Sequence, residues 1–163
     1  MHILKKQKIA TILSWTAVLL WLILIFSLSA QPATQSDGLS KKVTEVVIRK
    51  VGKLVPLDVE GDTTVDLVSK FNHIVRKFAH FFVYLVLGIL TMNALSQSGK
   101  RGAKAFAICI IFCVLYAASD ELHQLFVPGR GAQVKDVLID SAGAGTGTLI
   151  FRGLLSLFKN YDK

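Results

Sequence analysis

The chain has 163 residues, room for one domain, and 52% of them are hydrophobic. A mean hydropathy of +0.52 is too apolar for an ordinary soluble domain. The net charge of +8 comes from residues scattered among short segments with no aromatic interleaving, a pattern that argues against nucleic acid as a partner.

The first apolar run, Ile9 to Ala30, carries no charge and is long enough to cross about 30 Å of hydrocarbon as a helix. Lys5 to Lys8 resemble the basic region of a signal peptide. The run is too long for one, and bulky Leu28 stands where a cleavage site needs a small residue, so a retained anchor is expected. Three more spans are expected, at 76–96, 103–122 and 136–158. The fold class read from this pattern is an all-α, polytopic membrane protein with four transmembrane helices in a single domain over 1–163.

Residues 31–75 form the longest polar segment. Pro32 ends the first helix. Leu39, Val43, Val46, Val47, Val51 and Leu54 recur at helical spacing between Lys42, Glu45, Arg49 and Lys53, which predicts an extracytoplasmic amphipathic helix over 39–55. Pro56 and Gly61 mark a loop. Thr63 and Asp66 then give a capping pattern, and one long helix or two shorter ones fit the approach to the second span.

Ser96 to Gly102 and Phe126 to Gly131 are short turns, so the second, third and fourth helices should pack as antiparallel neighbours. Gly143 and Gly147 form a small-xxx-small pattern for close packing in the fourth helix. Cys109 and Cys113 are one turn apart, cannot easily pair in a regular helix, and read as small packing residues.

Charge fixes the expected orientation. With both termini cytoplasmic, the inner segments hold Lys5, Lys6, Lys8, Lys100, Arg101, Lys104, Arg152, Lys159 and Lys163 against Asp162 alone. The whole excess of +8 then lies inside, as the positive-inside rule requires.

In that topology the polar groups within the spans gather at the outer helix ends: Arg76, Lys77 and His80; Asp120, Glu121, His123 and Gln124; Asp136 and Asp140. Arg76, His80 and Tyr84 share one helix face, Asp120 shares another with His123 and Gln124, and Asp136 shares a third with Asp140. Hydrocarbon does not tolerate such faces, so each should point into the bundle. Asp140 pairing with Arg76 or Lys77, or His80 bonding Asp120 or Tyr84, would make the groups merely structural. Glu121 lies about 100° around from Asp120 and is expected to meet Arg130 or the amphipathic helix.

Carboxylates beside an imidazole suit general acid–base chemistry, with His80, Asp120 and His123 as the catalytic candidates. Arg76, Lys77, Arg130 and Lys135 suit a phosphate or carboxylate. There is no H-E-x-x-H, Cys-rich, P-loop or dinucleotide signature, so neither metal nor cofactor is expected.

Four stretches carry a resemblance: Phe26-Ser27-Leu28-Ser29-Ala30-Gln31-Pro32, Arg76-Lys77-Phe78-Ala79-His80-Phe81, Ser119-Asp120-Glu121-Leu122-His123-Gln124 running on through Pro128-Gly129-Arg130, and Asp136 through Asp140 to Gly143. Together, in this order, they resemble the VanZ-like family over nearly the whole chain. The resemblance implies a bacterial membrane protein of about four spans, with a namesake associated with low-level resistance to the glycopeptide teicoplanin. Its motif positions fall on Ser27, Gln31, Arg76, Lys77, His80, Asp120, Glu121, His123, Gln124, Arg130, Asp136 and Asp140.

The expected function is binding of an amphiphilic antibiotic or a cell-wall lipid at an outer-leaflet site in the bacterial cytoplasmic membrane. The alternative is a small intramembrane enzyme acting on a lipid-linked envelope substrate. Expected partners are membrane lipid and a lipid-linked cell-wall precursor or glycopeptide. A transporter is disfavoured, because no polar path through the inner halves is evident and no inverted repeat is present.

Overall fold

The computed structural model describes residues 2–32, 38 and 62–161. The expected amphipathic helix at 39–55 and the loop after it lie outside the described residues. Four helices make up the described chain: α1 (His2–Ser29), α2 (Asp62–Gln97), α3 (Gly102–Gln124) and α4 (Val134–Tyr161). The approach to the second span is one continuous helix, since α2 runs unbroken for 36 residues.

Three of these helices, over Leu4–Ser29, Ile74–Gln97 and Gly102–Gln124, are long and apolar enough to cross a membrane, which makes the chain a multi-pass membrane protein by length and composition. The fourth helix forms where the sequence places it, but it falls short of that apolarity among the described residues. Gly143, Gly145, Gly147 and Gly153, with Asp136 and Asp140, dilute its hydrocarbon.

The helices run antiparallel in sequence. At one end of the bundle Thr11 Oγ1 donates to the Gln97 carbonyl and Trp15 Nε1 to Ser98 Oγ. Toward the other end Trp21 Nε1 donates to the Val83 carbonyl and Tyr116 Oη to the Leu22 carbonyl. The first of these ends carries Lys5, Lys6, Lys8, Lys100, Arg101 and Lys104. At that end the α2–α3 turn is closed by Gly99, whose φ of 79° suits a residue without a Cβ.

The most extensive interface joins α2 to α4. It is built from backbone. A Cβ at Gly88 would lie 2.3 Å from the Ala144 carbonyl oxygen, one at Gly143 2.2 Å from that of Phe81, and one at Gly147 2.0 Å from that of Leu85. Lipid tails supply little hydrophobic drive between helices, so close van der Waals approach must hold them together, and small residues permit it.

The buried face of α3 follows the same logic. Ala105, Cys109, Cys113 and Ala117 repeat every fourth residue and are all fully buried. On α1, Val18, Ile25 and Ser29 face the bundle, with Leu22 packed against the core between them, while Leu4, Ile12, Leu13, Leu19 and Leu20 remain exposed to the surround.

Candidate functional site

Four helix ends meet where α1 and α3 finish and the apolar part of α2 and all of α4 begin. Heptad-like spacing turns Ser29 inward with Ile25. Ser27, the serine of the family motif, bonds back to the Ile23 carbonyl of its own helix at 2.7 Å. On α2 the i, i+4 spacing of His80 and Tyr84 puts the imidazole above a phenol that is only 1% exposed. The small-residue stripe of α3 continues into Asp120, Glu121 and Gln124, which are 4%, 3% and 3% exposed. Asp140 of α4 is completely enclosed.

The pairings across helices differ from those expected. Asp140 faces His80, with Nδ1 3.4 Å from Oδ1, rather than Arg76 or Lys77. Lys77 instead forms an ion pair with Asp136. The short contact of His80 is therefore with α4, while Asp120 acts on it only electrostatically. The glycine seam explains the choice, because it brings these backbones close enough for His80 to reach Asp140.

Glu121 is hydrogen-bonded within its own helix and to the start of the next, and the amphipathic helix that was its other expected neighbour lies outside the described residues. Glu121 Oε2 accepts the backbone N–H of Gln133 at 2.8 Å, and Oε1 receives Gln124 Nε2 at 3.3 Å. Gln133 immediately precedes α4, so a carboxylate from one helix caps the N-terminus of the next, where the helix dipole favours negative charge. Gln133 was not among the residues singled out from sequence. Its contribution is a backbone group, which composition does not reveal.

His123 stacks against Phe26 of α1, with ring centroids 4.6 Å apart and planes tilted by 32°. Arg76 acts electrostatically on His80 from its own helix. Arg130 sits half-buried in the α3–α4 turn, beside Gly129 whose φ is 75°. Lys135 is exposed.

The centre of the cluster is short of partners. Asp120 interacts with Ser29, His80 and Asp140, and Tyr84 with both Asp120 and Asp140. Yet Ser29 Oγ, Tyr84 Oη, Asp120 Oδ1 and both oxygens of Asp140 are buried without a hydrogen bond of ordinary geometry. Gln124 Nε2 reaches Asp120 Oδ2 only at 3.5 Å. Buried polar groups are normally satisfied, so such a concentration is a feature to be explained.

Small, weakly polar side chains pack below this cluster. Cys109 Sγ lies 3.4 Å from Thr148 Oγ1 and 3.6 Å from the Gly88 carbonyl. Cys113 and Thr91 are buried beside them, and Thr91 Oγ1 is unpartnered. Leu95 and Ala105 are buried in the apolar core that these residues share. Among the described residues no three His, Cys, Asp or Glu side chains are arranged to hold a metal ion.

Such a molecule belongs to a definable class: multi-pass helical membrane proteins whose buried ionisable groups collect at one end of the bundle. The VanZ/LLP1 family profile matches residues 14–158, and the chain belongs to that family. No curated protein and no solved structure matches it.

Proposed function

We propose that the protein sits in the bacterial cytoplasmic membrane with both termini cytoplasmic, and that the polar cluster opens toward the outer leaflet. There it engages an amphiphilic antibiotic or a cell-wall lipid and contributes to teicoplanin tolerance. The observation that carries this reading is the gathering of Asp120, Asp140, His80, Tyr84 and Ser29, from all four helices, with buried oxygens left unpartnered. Ionisable groups at membrane depth are costly and tend to be kept where they are used. The basic residues at the opposite end support the orientation. The family's name supports the link to glycopeptides.

The test is protection. The chain and its Asp120→Asn variant are expressed at equal membrane levels in a susceptible Gram-positive host and challenged with teicoplanin and vancomycin. Wild type should raise the teicoplanin threshold and the variant should not. Equal thresholds with and without well-expressed wild type would remove the antibiotic role.

A second reading is favoured by one contact. His80 held against the enclosed carboxylate of Asp140, with Asp120 nearby, is the arrangement a general base needs. An intramembrane enzyme would lose turnover of a lipid-linked substrate in His80→Gln while keeping its affinity. A binding protein would lose both together.

A further inference from the structure

The buried half of the cluster gathers two carboxylates and two hydroxyls whose oxygens lack hydrogen bonds of ordinary geometry among the described residues. Asp120 and Asp140 are 4% and 0% exposed. The nearby cations are already engaged: Lys77 with Asp136, and His80 with one edge of Asp140. Glu121, the third buried acid, is satisfied by Gln133 and Gln124 and takes no part. What remain without a hydrogen bond of ordinary geometry among the described residues are Asp120 Oδ1, both Asp140 oxygens, of which Oδ1 has only His80 at 3.4 Å, and the hydroxyls of Tyr84 and Ser29.

Charge points the same way. With both aspartates ionised and His80 protonated, these three groups carry a net charge of −1, and Arg76, which acts on His80 from its own helix, lies outside the buried set. Burying an uncompensated carboxylate is expensive, so the deficit must be met by a proton or by a bound cation. No metal-binding arrangement exists among the described residues. An ammonium group has three N–H donors on one charge, which matches a cluster of oxygens better than a proton, a single donor.

We propose that this cluster binds the primary ammonium group of an amphiphile, received between Asp120 and Asp140 with Tyr84 and Ser29 completing its hydrogen bonds. This rests on the reading of the cluster as a ligand site, and it names what the site recognises: a cationic amine rather than a phosphate. The phosphate of a zwitterionic headgroup would remain at the rim near Arg130 and Lys135. The amine can come from a lipid headgroup or from a free, soluble compound, since the chemistry is the same.

The experiment uses the full chain in detergent and isothermal titration with four probes: dihexanoyl phosphatidylethanolamine, its N-acetyl derivative, dihexanoyl phosphatidylglycerol and phosphoethanolamine. The ethanolamine lipid should bind at least tenfold more tightly than the acetylated lipid or the glycerol lipid, which lack the ammonium. Asparagine mimics a protonated aspartate in shape without its charge, so Asp120→Asn and Asp140→Asn should each erase that preference while leaving the glycerol lipid unaffected. Phosphoethanolamine binding as tightly as the lipid would support the amine and identify a soluble source.

Equal affinity for all three lipids would overturn the proposal, and that comparison needs no variant to fold. Retention of the preference in both asparagine variants would also overturn it, because the acids would then be neutral. Neither result touches antibiotic protection. If protection by wild type persists while the amine preference is absent, the ammonium fails and the envelope role stands. The reverse pattern sinks the envelope role alone.

Discussion

Gly147 of α4 lies against the backbone of Leu85 in α2, so close that a Cβ would stand 2.0 Å from the Leu85 carbonyl oxygen. That atom is backbone within a helix and cannot swing aside. Gly147→Ala should therefore push the helices apart, at a cost of about 1–3 kcal/mol, the usual range for overpacking. Gly145→Ala is the control. It has nothing within 4 Å and should gain up to about 1 kcal/mol from helix propensity. Thermal unfolding in detergent should move in opposite directions for the two.

The ion pair between Lys77 and Asp136 is partly exposed, at 26% and 20% of the side chains. Solvent screening limits such a pair to about 0.2–1 kcal/mol. Lys77→Asp alone should lower the melting temperature, and Lys77→Asp with Asp136→Lys should recover most of the loss. Absence of recovery would mean that the two side chains do not act on each other in the membrane.

Glu121 offers a sharper contrast. Glu121→Gln keeps an oxygen for the Gln133 N–H, whereas Glu121→Ala leaves it bare. Loss of a helix cap costs about 1 kcal/mol. Amide hydrogen exchange at Gln133 should accelerate about fivefold in the alanine variant and much less in the glutamine variant. Uniform exchange in both would show that solvent already satisfies this amide.

Cys109 and Cys113 are both fully buried. A bulky, membrane-permeant maleimide should label neither in the folded protein and both after denaturation. Rapid labelling of either in the native state would mean that the small-residue interface of α3 opens readily.

Much of this was legible because helical spacing is a property of the sequence itself. The antiparallel order, the i, i+4 pairing of His80 with Tyr84, and the small-residue face around Gly143 and Gly147 all follow from period and composition. The partners across helices did not follow. Whether His80 meets Asp140 or Asp120 depends on the register between α2 and α4, which the glycines set in three dimensions. Ser29 could have been preferred over Ser27 from the positions of Val18, Leu22 and Ile25, which place it on the same inward stripe. The shortfall of the fourth helix as an apolar span has the same root as its tight packing: glycine permits contact and contributes no hydrocarbon.

The glycine seam also decides which part of the molecule can yield. Where backbones touch, there are no rotamers to rearrange, so α2 and α4 form a fixed jaw that carries His80 and Asp140. By contrast α1 rests mainly on α2 and α3 mainly on α4, and α1 and α3 touch each other far less, meeting near the cluster through Phe26 and His123 and through Ser29 and Asp120. Contacts between side chains, such as the rings of Phe26 and His123, can change rotamer in a way that the backbone seam cannot, so any give at this end of the bundle belongs to them.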